Sequence, residues 1–103
     1  MERKIYKPLV CEDGFGMSIQ ASEGNYCTPR NNVGPYVSVE VGYPTEVDNL
    51  LLPYAEDPSN PTSTVYGWVP SDIILEVITK RGGIKEGEMP PLHYASWNGT
   101  APE

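Results

Sequence analysis

The sequence predicts an α+β domain in which a small antiparallel sheet of three to five strands carries one helix on one face and is followed by an extended C-terminal tail. Eleven prolines and ten glycines divide the 103 residues into segments of strand length. Several segments alternate apolar and polar residues, and one has the spacing of a helix. An apolar content of 39% suffices for one core. We therefore expect a single domain over residues 1–84 and a tail over residues 85–103.

Two predicted strands open the chain. The first lies within Lys4–Cys11, and Asp13-Gly14 supplies a turn after it. The second is Met17–Ser22, where apolar and polar residues alternate with the period of a half-buried strand. A hairpin turn follows, and Tyr26–Pro29 is expected to return as a further short strand.

The sequence pattern in the middle of the chain predicts two more strands, which are separated by a long connection. In Tyr36–Tyr43 the alternation leaves Glu40 on the solvent-facing side. The opposite, apolar face is expected to comprise Val37, Val39, Val41 and Tyr43. Residues 44–64 lack a period and contain four prolines, which is typical of a binding loop or a lid. Thr64–Val69 then resumes strand character, with Tyr66 and Trp68 expected on one face.

One segment, Pro70–Arg81, has the pattern of a helix that packs on a sheet. Its apolar stripe consists of Ile73, Ile74, Val77 and Ile78. Pro70 suits the first helical position, and Gly82-Gly83 can adopt the left-handed stop. Lys80 and Arg81 suit the negative C-terminal end.

The C-terminal tail shows no period and contains Pro90-Pro91. It either wraps the domain as extended chain or stays loose. In the first case its apolar anchors would be Leu92, Tyr94 and Trp97.

The most informative functional feature is a long stretch without positive charge. No Lys, Arg or His lies between Asn31 and Thr79, whereas seven acidic residues do. Together with a net charge of −7, this argues against direct nucleic-acid binding, because phosphates require a cationic groove. It favours a basic partner protein, one that itself binds nucleic acid. We expect the partner-binding residues to be Glu40, Glu46, Asp48, Tyr54, Glu56 and Asp57.

Catalytic and metal-binding patterns are weak in this sequence. His93 is the single histidine, so the sequence offers few candidates for a catalytic pair of a nucleophile and a histidine. Cys11 and Cys27 are too far apart for a paired-cysteine zinc motif. We therefore expect no enzymatic activity, no metal and no cofactor. Buried free thiols are the first interpretation of the cysteines, and a disulfide between neighbouring strands is the alternative.

Targeting signals are also lacking in the sequence. No apolar run approaches the roughly 20 residues of a membrane span. The charged N-terminus has no apolar stretch behind it that would indicate secretion. We expect a cytoplasmic protein without a membrane partner.

Five short motifs carry a resemblance to a known group of proteins. They are Ser18-Ile19-Gln20-Ala21-Ser22, Tyr26-Cys27-Thr28-Pro29-Arg30, Gly34-Pro35-Tyr36, Val39-Glu40-Val41-Gly42 and Val65-Tyr66-Gly67-Trp68-Val69-Pro70. Together they resemble a family of small proteins encoded by phages and prophages, over residues 17 to about 84. The resemblance implies a role as inhibitor of a host defence or nucleic-acid-binding protein, of the anti-CRISPR-like, DNA-mimic type. The alternative is a phage structural or accessory protein that self-assembles through Leu50–Leu52 and the tail.

Overall fold

Five antiparallel strands and one α-helix form the described part of the chain, residues 4–93 of a computed structural model. The strands are β1 (Leu9–Cys11), β2 (Gly16–Gln20), β3 (Ser38–Gly42), β4 (Val65–Pro70) and β5 (Ile84–Glu86). The helix α1 spans Ser71–Lys80, and a short 3-10 helix lies at Leu52–Tyr54. The predicted α+β fold is confirmed. Among the described residues, no helix has the length and apolar character needed to cross a membrane.

The strands form one sheet in the order β4-β3-β2-β1-β5. The first four strands are a meander of sequential antiparallel pairs. After α1 the chain returns to the far side of the sheet, where β5 pairs with β1. Residues 85 and 86, the first two of the predicted tail, therefore belong to the sheet.

The core lies between the helix and the inner face of the sheet. Its helical contribution is the predicted stripe, since Ile74, Val77 and Ile78 are buried and Ile73 packs against them half-buried. The strands contribute Leu9, Cys11, Met17, Ile19, Val39, Val41, Tyr66 and Val69. Leu51, from the long connection between β3 and β4, is fully buried against this core.

The helix ends where the glycines predict. Gly82 has a φ of 91°, and its N–H donates to the Thr79 carbonyl at 3.2 Å. The Gly83 N–H donates to the Ile78 carbonyl at 2.9 Å, which completes a Schellman motif. At the other end the helix begins at Ser71, so Pro70 is the N-cap residue and not the predicted first helical residue.

A β-bulge in β4 overturns one predicted strand face. Val39 pairs with Val69 and Val41 pairs with Tyr66, so β4 has one more residue than β3 between these pairs. Trp68 takes up the extra residue with a φ of 49°. Tyr66 is consequently buried and Trp68 is 51% exposed, so the prediction that they share a face is wrong.

The apolar face predicted for Tyr36–Tyr43 holds only at its centre. Val39 and Val41 are fully buried within β3. Val37 and Tyr43 lie just beyond the ends of the strand and are exposed, and Tyr43 has a φ of 49° that interrupts the alternation. The short strand predicted at Tyr26–Pro29 is reduced to a single bridge between Thr28 and Ser38.

The segment after β5 lies along the domain as extended chain. The Tyr36 N–H donates to the Pro91 carbonyl at 2.8 Å, and the His93 N–H donates to the Tyr36 carbonyl at 2.7 Å. Pro90 is buried, and Leu92 packs half-buried against the core. The other predicted anchors, Tyr94 and Trp97, lie outside the described residues.

Candidate functional site

Asp48 lies inside the protein, although the sequence places it among the partner-binding acids. Its side chain has no exposed surface. Its Oδ2 atom accepts hydrogen bonds from Arg81 Nε at 3.2 Å and Nη2 at 2.9 Å, and Lys80 Nζ lies 3.1 Å from the same oxygen. Its Oδ1 atom accepts a hydrogen bond from the Leu50 N–H at 2.9 Å. Asp48 is therefore not accessible to a partner on the surface of this structure.

The surroundings of Asp48 favour its charged form. Burial by itself would raise the pKa of this carboxyl group. The hydrogen bonds from Arg81, from Lys80 and from the Leu50 N–H outweigh burial and hold the pKa of Asp48 below its ordinary value. The charged carboxylate thereby ties the loop after β3 to the C-terminal end of α1.

Arg81 extends this network to two further carboxylates. Its Nη1 atom donates to Glu46 Oε2 and, at 3.3 Å, to Asp13 Oδ2. Its guanidinium also lies over the Phe15 ring, 4.1 Å from the ring centroid. Burial would lower the pKa of Arg81, but the hydrogen bonds to Glu46, Asp48 and Asp13 raise it.

The negative charge of the stretch from Asn31 to Thr79 is therefore partly compensated in space. Lys80 and Arg81 directly follow that stretch in sequence, and the fold brings them back onto Glu46 and Asp48. Glu46 remains accessible, with 61% of its side chain exposed, but it is already engaged by Arg81.

Two of the predicted site residues, Glu56 and Asp57, do lie on the surface. Both are exposed and follow the 3-10 helix. Asp57 accepts hydrogen bonds from the Ser59 N–H and from Asn60 Nδ2, at 3.2 and 2.9 Å, which order the loop locally. Tyr54, the predicted aromatic anchor, is half-buried and packs against the core.

Glu40 belongs to a different part of the surface. It lies half-buried on the outer face of β3, where its Oε1 atom accepts a hydrogen bond from the Tyr26 N–H at 2.9 Å. The Tyr26 carbonyl in turn accepts a hydrogen bond from the Trp68 N–H at 3.0 Å. The predicted site residues thus fall into three separate environments and do not form one acidic face.

Tyr26 and Trp68 form an aromatic pair that sequence reasoning missed. Their rings stack with centroids 4.9 Å apart and planes inclined by 25°. The Arg30 guanidinium lies 5.6 Å from the centroid of the Tyr26 ring. We call Tyr26, Arg30, Glu40 and Trp68 the aromatic patch. The Gly67-Trp68 dipeptide within a strand pattern was a signal for the bulge that exposes this ring.

Concave surfaces also lie away from the aromatic patch. A groove of about 510 Å³ runs between Leu50 and the outer side of α1, where Leu75, Glu76, Thr79 and Lys80 line it. A smaller depression of about 310 Å³ on the outer face of the sheet is lined by residues that include Val10, Gly42 and Tyr43.

The described residues supply little for metal or nucleophile chemistry. Within residues 4–93, no group of three or more His, Cys, Asp or Glu side chains could hold a metal ion. Cys11 and Cys27 are free and buried, as the first interpretation of the sequence predicts. Burial is the main cause that raises the pKa of both thiols, which disfavours the nucleophilic thiolate.

Comparisons with protein-family models, with curated proteins and with solved structures gave no match. Function is therefore inferred from the surface of this chain itself.

Proposed function

We propose that this protein is a small acidic binding protein that docks on a cationic surface of a partner protein. In the context that the phage-family resemblance implies, it acts as an inhibitor of a host defence or nucleic-acid-binding protein, in the manner of a DNA mimic. It works in the host cytoplasm by binding and without catalysis, cofactor or direct contact with nucleic acid.

The observation that carries this proposal is the distribution of charge in the folded chain. Residues 4–93 contain twelve carboxylate side chains and six Lys or Arg. Two of those six cations, Lys80 and Arg81, are directed at the buried Asp48. Within the same span, the exposed Glu56, Asp57 and Glu76 have no cation within ion-pair distance. The negative charge of these three side chains is therefore not compensated by an ion pair at the surface of the described residues.

An excess of exposed carboxylates selects partners by charge. Carboxylates present Lys and Arg with the same charge-assisted hydrogen bonds that phosphates offer. A negative surface also accelerates association with a positive one and disfavours nucleic acid. A protein with a groove built for phosphates is therefore the partner that suits this surface best.

The structure changes the set of residues that we assign to this interface. Asp48 is excluded by burial, and Glu46 is held by Arg81. Glu56 and Asp57 remain from the predicted set, and Glu76 on the exposed side of α1 joins them. Glu40 acts through the aromatic patch.

The test uses two variants with the same change in net charge. The interface variant carries Glu56→Gln, Asp57→Asn and Glu76→Gln. The matched control carries Glu12→Gln, Glu23→Gln and Glu86→Gln, three exposed acids elsewhere on the surface. A partner is first captured on the wild-type protein from host lysate at low and moderate salt, identified and purified, and its Kd is measured for all three proteins.

We expect the interface variant to lose at least about 10-fold in affinity for the partner and the control variant to lose much less. Salt screens the attraction between distant charges, so mainly carboxylates that contact the partner directly contribute to affinity. Nucleic acid should compete with the wild-type protein for the partner. Equal binding by all three proteins, or simultaneous binding of nucleic acid, would contradict the proposal.

Self-assembly is the second candidate, and the groove beside Leu50 favours it. This groove exposes apolar surface of Leu50 and Leu75 between the loop and α1. Leu51, however, is buried in the core, so the predicted Leu50–Leu52 contact is not available as a whole. Sedimentation equilibrium distinguishes the candidates. A monomer at all concentrations supports the inhibitor, and a dimer that Leu75→Ser abolishes supports assembly.

A further inference from the structure

Trp68 is exposed because the β-bulge in β4 places it in a backbone conformation that is unfavourable for a bulky side chain. Its φ of 49° lies in the left-handed region, which bulky residues rarely adopt. The bulge turns Trp68 away from the core, where its strand neighbours Tyr66 and Val69 are fully buried. A strained conformation that presents a large apolar ring to solvent is typical of functional sites.

The surrounding residues hold this ring system in a fixed position. Tyr26 stacks on Trp68, and both of its backbone polar groups are hydrogen-bonded: its N–H donates to Glu40, and its carbonyl accepts from the Trp68 N–H. Gly67 lies beside Tyr26, where an added Cβ atom would be in van der Waals contact at 3.4 Å from the Tyr26 Cβ. A preorganised aromatic surface loses little conformational entropy when it binds.

We infer that Trp68, supported by Tyr26, is the anchoring site for an arginine side chain of the partner protein. This inference rests on the proposed function and specifies one contact that the aromatic patch makes with the partner. The aromatic patch already holds one guanidinium, that of Arg30, over the Tyr26 ring. The partner's guanidinium would lie over the exposed part of the Trp68 ring in the same type of contact.

Charge complementarity favours a cationic occupant over the other ligands of aromatic surfaces. Single-stranded nucleic acid also stacks on exposed aromatic rings, but it requires a cationic groove along its phosphates. Here the net charge of the chain is −7, and within the patch Glu40 balances the charge of Arg30. Arginine is the cation that stacks most often on tryptophan, because its planar guanidinium is weakly hydrated.

Arg30 makes the sign of the ligand's charge measurable. It is exposed and belongs to the aromatic patch, so its charge acts on any ligand that binds Trp68. Replacing it by Gln should strengthen binding of a cation by removing repulsion. The same change should weaken binding of an anion such as an oligonucleotide.

The experiment follows the fluorescence of Trp68 in the full chain. Trp97, the other tryptophan in the sequence, is replaced by Phe so that Trp68 is the single reporter. The probes are a blocked hexaarginine peptide, hexalysine, decaproline and an oligothymidylate. Trp68→Gly and Trp68→Asn are tested against the same peptides by calorimetry, because glycine and asparagine both tolerate the left-handed conformation.

We expect saturable quenching of Trp68 by hexaarginine, with weaker binding of hexalysine and none of decaproline. Both Trp68 variants should bind hexaarginine about 10-fold more weakly, and Arg30→Gln should bind it more tightly. Preferential binding of decaproline or of the oligothymidylate, or unchanged affinity in both Trp68 variants, would overturn the inference.

Failure of this inference is distinguishable from failure of the proposed function. The interface variant Glu56→Gln/Asp57→Asn/Glu76→Gln should reduce hexaarginine affinity while leaving the quenching of Trp68 at saturation unchanged. Suppose that the purified partner binds both Trp68 variants as tightly as the wild type but no longer binds the interface variant. The proposal of an acidic interface is then supported, and the inference that Trp68 is the anchor is wrong. If Trp68 binds hexaarginine but no nucleic-acid-binding partner exists, the anchor stands and the inhibitor role is wrong.

Discussion

At the scale of single residues, the buried Asp48 decides how charge is arranged in this protein. A buried carboxylate is tolerated only when it is paired and hydrogen-bonded, and Asp48 has two cations and a backbone N–H. The pairing joins two parts of the chain that are 33 positions apart. It also engages Lys80 and Arg81, so part of their positive charge compensates a buried carboxylate.

Replacing Asp48 by Asn should destabilise the fold by about 2–3 kcal/mol. Removing one partner of a buried pair usually costs about 3–5 kcal/mol, because the other charge is left unpaired. Here Lys80 is 45% exposed and Arg81 retains Glu46 and Asp13, so the penalty should be smaller. Urea denaturation measures the effect. Glu46→Gln, which removes an exposed acid, is the control and should cost at most about 1 kcal/mol.

The same residue predicts a pH dependence of stability. The pKa of Asp48 is lower in the folded than in the unfolded state, so the unfolded chain binds more protons between the two values. The contribution of Asp48 is therefore fully present above its ordinary value of 3.8 and is lost as the pH falls through the folded-state pKa. Melting temperatures measured from neutral pH downwards should fall more steeply for the wild type than for Asp48→Asn. If the melting temperatures of the two proteins fall equally with pH, protonation of Asp48 is not linked to folding stability.

At the scale of elements, α1 and the extended segment after β5, residues 87–93, both pack against the core. We call this segment the strap. α1 packs its apolar stripe on the inner face of the sheet. The segment after β5 crosses to Tyr36 and adds two backbone hydrogen bonds there. Both elements bury apolar surface, so both are expected to contribute to stability.

Ile74→Ala should destabilise the protein by about 2–5 kcal/mol, because Ile74 is fully buried and the cavity left behind cannot collapse completely. Ile73→Ala is the matched control on the same helix, since Ile73 is only half-buried and should cost less. Denaturant midpoints at equal m-values measure both. A midpoint unchanged by Ile74→Ala would contradict the packing of α1 on the sheet.

Deleting residues 89–103 should lower the melting temperature measurably. The deletion removes the half-buried Met89 and Leu92, the buried Pro90 and the backbone hydrogen bonds to Tyr36. A truncation of residues 94–103 alone keeps these contacts and serves as the control. If both truncated proteins melt like the wild type but lose the partner, the strap is a recognition segment.

At the scale of the whole molecule, the excess of negative charge is expected to affect binding more than folding. Exposed carboxylates that contact no cation repel one another only weakly through water, and salt screens them further. The variant Glu56→Gln/Asp57→Asn/Glu76→Gln should therefore keep the wild-type melting temperature or exceed it slightly, while its affinity for the partner falls. Calorimetry at low salt measures the first quantity. A marked loss of stability would show that these acids serve the fold.

The α+β fold and most of its elements followed from local sequence. The stripe of α1, its glycine stop and the alternation in β2 and β3 depend on spacings of two to four residues, which the sequence displays directly. The candidate site was less predictable. Its acids were identified by composition, but composition does not report which carboxylates meet a cation from a distant part of the chain.

The sequence by itself determined the class of fold, the position of α1, the core stripe and the net charge of −7. Only the tertiary structure decided that Asp48 is buried against Lys80 and Arg81, and that a bulge turns Trp68 out of the core. The physical reason is the range of the interactions. Periodicity is set by neighbours within one turn or one pleat, whereas ion pairing and strand register depend on residues that meet only after the chain has folded.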